Sequence, residues 1–130
     1  MNHLKPYRDG YQYYSGEEGP VVEISVSYTL GGTNWFHGEN YSRGIYVHIS
    51  PVTLEKRDGY TCKTVTLGSG KKMLLLGLNR KSDKKIRSVA LAVDQIVREL
   101  AERYQAGDEA GNYARLTKLR EEFAPKAAAA

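Results

Sequence analysis

From Val21 to Leu30 the chain alternates strictly: Val22, Ile24, Val26, Tyr28 and Leu30 share one face, and Glu23, Ser25, Ser27 and Thr29 share the other. A period of two marks a strand with one face on a core and one toward water. Residues 43–52 repeat the pattern, with Ile45, Val47 and Ile49 inward and Tyr46, His48 and Ser50 outward. Pro51 then removes a ladder donor, which ends the strand or puts it at an edge. Asp58-Gly59 is a turn signal ahead of a third strand, residues 60–68, rich in β-branched side chains. Gly68-Ser69-Gly70 turns the chain into a fourth run, Lys72 to Asn79, whose consecutive apolar residues predict cover on both faces.

The period changes after Ser82 and Asp83, either of which offers a helix cap. Ile86, Val89, Ala90, Val93, Ile96, Val97, Leu100 and Tyr104 recur at spacings of three and four, predicting one amphipathic helix of about six turns. Gly107 stops it, Asp108 caps the next, and Tyr113, Leu116, Leu119 and Phe123 mark a shorter second helix. The order is four strands and then two helices. This predicts an α+β domain over residues 21–124: a four-stranded antiparallel meander with the long helix across one face. The short links between strands two, three and four favour hairpins over crossovers. Residues 1–20 hold four tyrosines among Pro, Gly and charge with no sustained period, and read as an irregular arm, either disordered or with its tyrosines packed onto the domain. Residues 125–130 read as a low-complexity tail or a vector-derived remnant and are left out of the fold.

At 130 residues, with 41% apolar and 26% charged side chains, the chain is sized and composed as one folded domain. No apolar run approaches the roughly 20 residues of a bilayer span, and residues 1–10 lack the apolar stretch of a secretory signal. The expected location is the cytoplasm. One cysteine, Cys62, cannot close an internal disulfide, and three histidines beside it match no zinc-ligand spacing. No metal or cofactor is expected.

The net charge of +4 is unevenly spread. Residues 56–87 carry ten Lys or Arg against Asp58 and Asp83, whereas the first 55 residues carry three against six acids. Such asymmetry suits either a polyanion contact or an ordinary solvated surface.

Between the first two strands lies Gly31-Gly32-Thr33-Asn34-Trp35-Phe36-His37-Gly38-Glu39-Asn40-Tyr41-Ser42-Arg43, long for a hairpin link. Trp35, Phe36 and Tyr41 offer flat faces for a base or a partner's pocket, and Arg43 a fork for phosphate or carboxylate. The alternative is that Trp35 and Phe36 fold back over the sheet edge. Gly68-Ser69-Gly70-Lys71-Lys72 lacks the spacing of a phosphate-binding loop and precedes a strand, so a tight turn fits better. Asn79, Arg80, Lys81, Lys84 and Lys85 cluster at a helix start, where amides and dipole also favour anions. His48 and Cys62 fall in neighbouring strands but lack the third group of a nucleophilic site. A metal site from His37, His48 and Glu39 matches no ligand pattern. The expected chain is not an enzyme.

Two resemblances accompany these residues. Four strands followed by a helix, over residues 21–104, is similar in topology to the Whirly and transcriptional-coactivator group of single-strand DNA-binding proteins. That likeness implies single-strand binding and assigns no residue. The pattern Gly31, Gly32, Asn34, Trp35, Phe36, Arg43, Gly44, Tyr46, Pro51, Val52, Leu67 to Gly70 and Leu78 to Ser82 resembles small accessory proteins of bacterial plasmids, integrative elements and phages. It implies an interaction role, as in DNA handling or inhibition of host defence.

The leading expectation is a small binding protein of a mobile element that contacts nucleic acid, single strands ahead of duplex. Trp35, Phe36, Tyr41, Tyr46 and His48 would meet bases or a partner, and Arg43, Lys63, Lys71, Lys72, Arg80, Lys81 and Lys84 the backbone. The rivals are an inhibitor or adaptor that binds a nucleic-acid-handling protein, such as a host defence nuclease, and a self-associating module that pairs two chains as a homodimer.

Overall fold

The computed structural model describes residues 3–33, 40–65 and 70–124. In chain order they form β1 (Lys5–Tyr7), β2 (Gly10–Tyr14), β3 (Gly19–Thr29), β4 (Gly32–Thr33), β5 (Asn40–Tyr41), β6 (Gly44–Arg57), β7 (Tyr60–Val65) and β8 (Lys71–Gly77), then α1 (Asp83–Asp94), α2 (Val97–Gln105) and α3 (Glu109–Phe123). The class is α+β with an antiparallel sheet, as the pattern predicts. The details differ at Pro51 and in three larger features.

The two alternating segments pair with each other: β3 lies against β6 from Gly19 opposite Leu54 to Thr29 opposite Gly44. Their inward residues Val22, Ile24, Val26, Ile45, Val47 and Ile49 meet Ile86, Val89, Val93, Val97 and Leu100 of the helices in one buried core. Pro51 does not end its strand. It sits opposite Val22 inside the β3 pairing, and β6 runs on to Arg57.

The first difference is the arm. Residues 5–14 form the β1–β2 hairpin, and β2 pairs with β3, Tyr11 opposite Val26 and Tyr13 opposite Ile24. Tyr11 and Tyr13 pack on the core while Tyr14 packs on Val21, Val52 and Leu54 across the sheet. With tyrosines on both faces, the period of two carries no polarity contrast. Gly10 marks the tightest approach: a Cβ there would come within 2.1 Å of the Val26 carbonyl oxygen. The Asp94 carboxylate, only 7% exposed, fastens the hairpin to α1 by accepting from the Leu4 amide at 2.7 Å and from the His3 amide.

The second difference is the expected meander. β3 occupies one edge of β6 along residues 44–54, so β7, opposite residues 52–57, and β8, opposite residues 44–49, share the other edge. Both run antiparallel to β6. They are two sections of one flank rather than a hairpin, and residues 66–69 between them lie outside the described residues. The main sheet has six strands instead of four. β8 is therefore not central, but α3 lies beside it and Leu75 is buried in the main core.

The third difference is the long helix, which breaks after Asp94. The Gln95 amide turns back onto the Val93 carbonyl, and α2 restarts at Val97 with its apolar face still aligned. α3 is the longest helix, with fifteen residues, rather than a short second one. The expected caps form: Ser82 accepts from the Lys85 amide at 3.4 Å, and Asp108 from the Gly111 amide at 2.9 Å. Asn112 donates to the Leu100 carbonyl at 3.0 Å and ties α3 to α2.

Replacing Asp94 by Ala orphans two amides and should cost about 2 kcal/mol. Urea unfolding measures that loss, and hydrogen exchange should show the Leu4 amide losing protection while the β3 and β6 amides keep theirs. Unchanged protection at Leu4 would show that Asp94 does not hold the hairpin.

Candidate nucleic-acid interface

Antiparallel pairing brings distant segments to one end of the sheet. β2 begins at Gly10 beside Ser27, β3 ends at Thr29 beside Gly44, and β8 ends at Gly77, also beside Gly44. The β1–β2 turn with Arg8 and Asp9, the excursion from β3 to β6, and the run into α1 therefore share that end. Gly44 is the crowded point, because a Cβ there would meet the Leu76 carbonyl oxygen at 2.3 Å and the Leu74 side chain at 2.8 Å. Only glycine allows this approach, helped by its φ of 156°.

Arg43 joins the parts. Its Nε donates to the Leu30 carbonyl at 3.3 Å and its Nη1 to the Asn79 carbonyl at 2.7 Å. Its own carbonyl accepts from the Leu78 amide at 3.4 Å. The start of the aromatic excursion is thus tied to the basic start of α1 by one guanidinium, whose planar fork suits two acceptors at once. Beside it, Lys81 pairs with Asp9 at 3.1 Å and Asp83 at 3.6 Å. Its ammonium is held above the ordinary Lys range, chiefly by the hydrogen bond and charge of Asp9. Arg80, Lys84 and Lys85 are exposed, and none forms an ion pair among the described residues. The Arg8 guanidinium sits 5.3 Å from the centre of the Tyr7 ring.

The predicted site residues divide among several places. Arg43, Arg80, Lys81 and Lys84 gather at this end. Tyr41 joins them by its backbone, since β5 pairs with β4, Tyr41 opposite Gly32. Trp35 and Phe36 lie outside the described residues.

Tyr46, His48, Lys63 and Lys72 lie on the sheet face away from the helices. Tyr46 points to that side as expected, yet it is 5% exposed. Its hydroxyl donates to the Ser42 carbonyl at 2.5 Å, and the Lys72 ammonium lies 4.9 Å from its ring centre. A ring so placed is a packed side chain rather than a stacking platform, because a cation already occupies its face. Lys63 pairs at 3.0 Å with Glu23, whose carboxylate also accepts from Gln12 at 2.9 Å. Glu23 is 6% exposed, and a buried carboxylate needs such donors. The same surroundings, burial first and then the Glu23 hydrogen bond and charge, push the Tyr14 phenol well above its ordinary range. Lys71 lies apart, 3.8 Å from Glu109 of α3.

Glu23 and Asp9, which neutralise two of the predicted cations, are invisible as partners in the sequence. They stand 40 and 72 residues from Lys63 and Lys81, and only the strand register brings them close. Arg8 at the same end was hidden for the same reason.

His48 and Cys62 occupy opposite faces: His48 shares the face of Ser25, its partner in β3, whereas Cys62 pairs with Glu55 on the helix side. They do not form a nucleophile and base. Among the described residues no group of three His, Cys, Asp or Glu side chains could hold a metal ion. His37 and Glu39 lie outside those residues. No described helix is long and apolar enough to cross a membrane. No protein-family model matches the chain, and neither a curated protein nor a solved structure does.

The His48 imidazole is held below its ordinary 6.5 by burial first, then by Lys72 and Lys63, with Glu23 opposing. The folded chain keeps it neutral where the unfolded chain binds a proton. Stability is therefore full above the unfolded value and is lost as pH falls below about 6.5 toward the folded value. His48→Gln should flatten that part of the stability profile, read by urea titration on either side of 6.5. An identical profile would remove His48 as its source.

Proposed function

We propose that this chain is a small non-enzymatic binding protein that contacts nucleic acid, single strands ahead of duplex, through the end of the sheet where Arg43 joins the excursion to the start of α1. The observation that carries this reading is the double hydrogen bond of the Arg43 guanidinium to the Leu30 and Asn79 carbonyls. It holds Leu30, where the excursion leaves β3, next to Asn79 at the basic start of α1. Cations draw in a phosphate backbone, with release of its counterions, and aromatic faces stack bases without regard to sequence. The first-turn amides of α1 add a fixed positive potential.

The proposed contact is smaller than the basic segment from Lys56 to Arg87. Lys63 and Lys81 have buried or nearby carboxylates and contribute less, and Lys71 faces α3. Arg43 acts chiefly by positioning, since two of its donors are engaged with backbone. The likeness of the Gly31 to Ser82 pattern to accessory proteins of mobile elements supports a cytoplasmic role in handling DNA.

Fluorescence anisotropy of labelled single-stranded DNA, duplex DNA and RNA tests the proposal. Affinity should fall steeply with salt, and Arg80→Ala and Lys84→Ala should each lower the salt slope by about one. Trp35→Ala should cost about 1–3 kcal/mol, more than any single Lys change. Binding that ignores salt, or none at low salt, would overturn the reading and direct attention to a protein target.

A further inference from the structure

The sheet face away from the helices is bridged across its middle. Gln12 of β2 and Lys63 of β7 both reach Glu23 of β3, donating to the same carboxylate oxygen at 2.9 Å and 3.0 Å. Two hollows adjoin this bridge, one of about 700 Å³ and one of about 320 Å³, and Tyr7 and Gln12 line both.

The larger hollow combines an apolar floor with a basic rim. Leu54 is buried there, and Tyr14 packs on it and on Val21 and Val52. The rim carries Lys5 and Lys56 against one acid, Glu17. Lys56 meets Glu17 at 3.5 Å on side chains that are both well exposed, a pairing weak enough for another anion to displace. Lys5 forms no ion pair among the described residues. Tyr7 supplies a wall and is 48% exposed. The Arg8 guanidinium near its ring lines the smaller hollow and not the larger. Unlike Tyr46, this ring therefore keeps a free face.

We propose that the larger hollow holds one unpaired nucleotide of a bound single strand, its base against Tyr7 over the floor of Leu54 and Tyr14 and its phosphate at the rim of Lys5 and Lys56. The inference rests on the nucleic-acid reading above and adds to it the feature that selects single strands. A paired base is locked in its duplex, whereas an unpaired base can splay into a recess and stack there. The volume falls within the roughly 300–1,000 Å³ of small-molecule sites. A simple anion would leave the apolar floor unused, and a neutral apolar ligand would leave the two lysines unanswered. The turn that follows Tyr7 is tied to the start of α1 by the pairing of Asp9 with Lys81, so Arg8 connects the hollow to the cations of the sheet end.

Fluorescence anisotropy with an oligothymidylate, an abasic strand of equal length and a duplex tests the assignment, with circular dichroism verifying that each variant folds. The wild type should bind oligothymidylate at least about fivefold more tightly than the equally charged abasic strand. Tyr7→Leu, which keeps apolar bulk in β1 and removes the ring, should erase that difference and leave duplex affinity unchanged, and Tyr7→Trp should preserve it. Lys5→Ala and Lys56→Ala should lower the salt slope for the single strand alone. Free thymidine monophosphate should compete only at millimolar concentration, because the strand shares its affinity with the sheet end; competition at micromolar concentration would overturn the strand assignment in favour of a free nucleotide. Salt-dependent strand binding that ignores both the bases and Tyr7→Leu would overturn this inference alone and leave the sheet end as the contact. Absence of strand binding at low salt would overturn the underlying reading and this inference with it.

Discussion

The pairing of β3 with β6 is the constraint on which the rest of the molecule depends. Eleven consecutive residues of β3 are held opposite β6 in a single register. A slip of one residue would turn Ile24 and Val26 of β3 out of the core and bring Glu23 and Ser25 in, or exchange Val47 and Ile49 of β6 for His48. Exchanging a buried aliphatic set for a carboxylate or an imidazole is prohibitive, so the register is unique. Once it is set, one face must take the helices, and the other collects Gln12, Glu23, His48 and Lys63 as neighbours. The ends of four strands also converge around Gly44.

That convergence reorganises the charge. Along the chain, residues 56–87 look like a continuous basic segment. In space it is distributed over several regions: Lys56 and Arg57 at the end of β6, Lys63 and Lys72 on the face away from the helices, Lys71 beside α3, Arg80 to Lys85 at the sheet end, and Arg87 farther along α1. Much of the positive charge is met internally, by Glu23, Glu109 and Asp9. A net charge states how strongly a chain is drawn to a polyanion at long range. Which cations remain available at contact depends on what the fold has already placed beside them.

The polar face holds a tension of its own. Ser50 is 1% exposed, and its hydroxyl has no hydrogen-bond partner among the described residues, next to a carboxylate that gathers several donors. The neighbouring imidazole and the Lys72 ammonium are both shifted toward their neutral forms by burial. On the helix side the buried acid among the described residues, Asp94, is answered by two amides of the N-terminal segment, which links the last strand laid on the sheet to the helix across it.

Much of this was legible in the linear pattern. The alternation over residues 21–30 and 43–52, the Asp58-Gly59 turn, the caps at Ser82 and Asp108 and the stop at Gly107 are local features, set by side-chain period and backbone geometry within a few residues. They determine the α+β class and most of the core. The N-terminal hairpin was not legible, because tyrosines on both its faces erase the contrast that reveals a period. Nor was the placement of β7 and β8 along one edge of β6, because direction and edge are properties of a pair of strands and not of either one. The break after Asp94 escaped for a related reason: the apolar spacing continues through it, and the carboxylate there turns inward only because amides 90 residues away need an acceptor. The candidate site divides in the same way. Its residue types, Arg43 and the cluster from Arg80 to Lys84, follow from the sequence alone. Their meeting, and the withdrawal of Tyr46, Lys63 and Lys71 from that surface, were decided by tertiary structure, since proximity across a sheet depends on register and no local signal carries it.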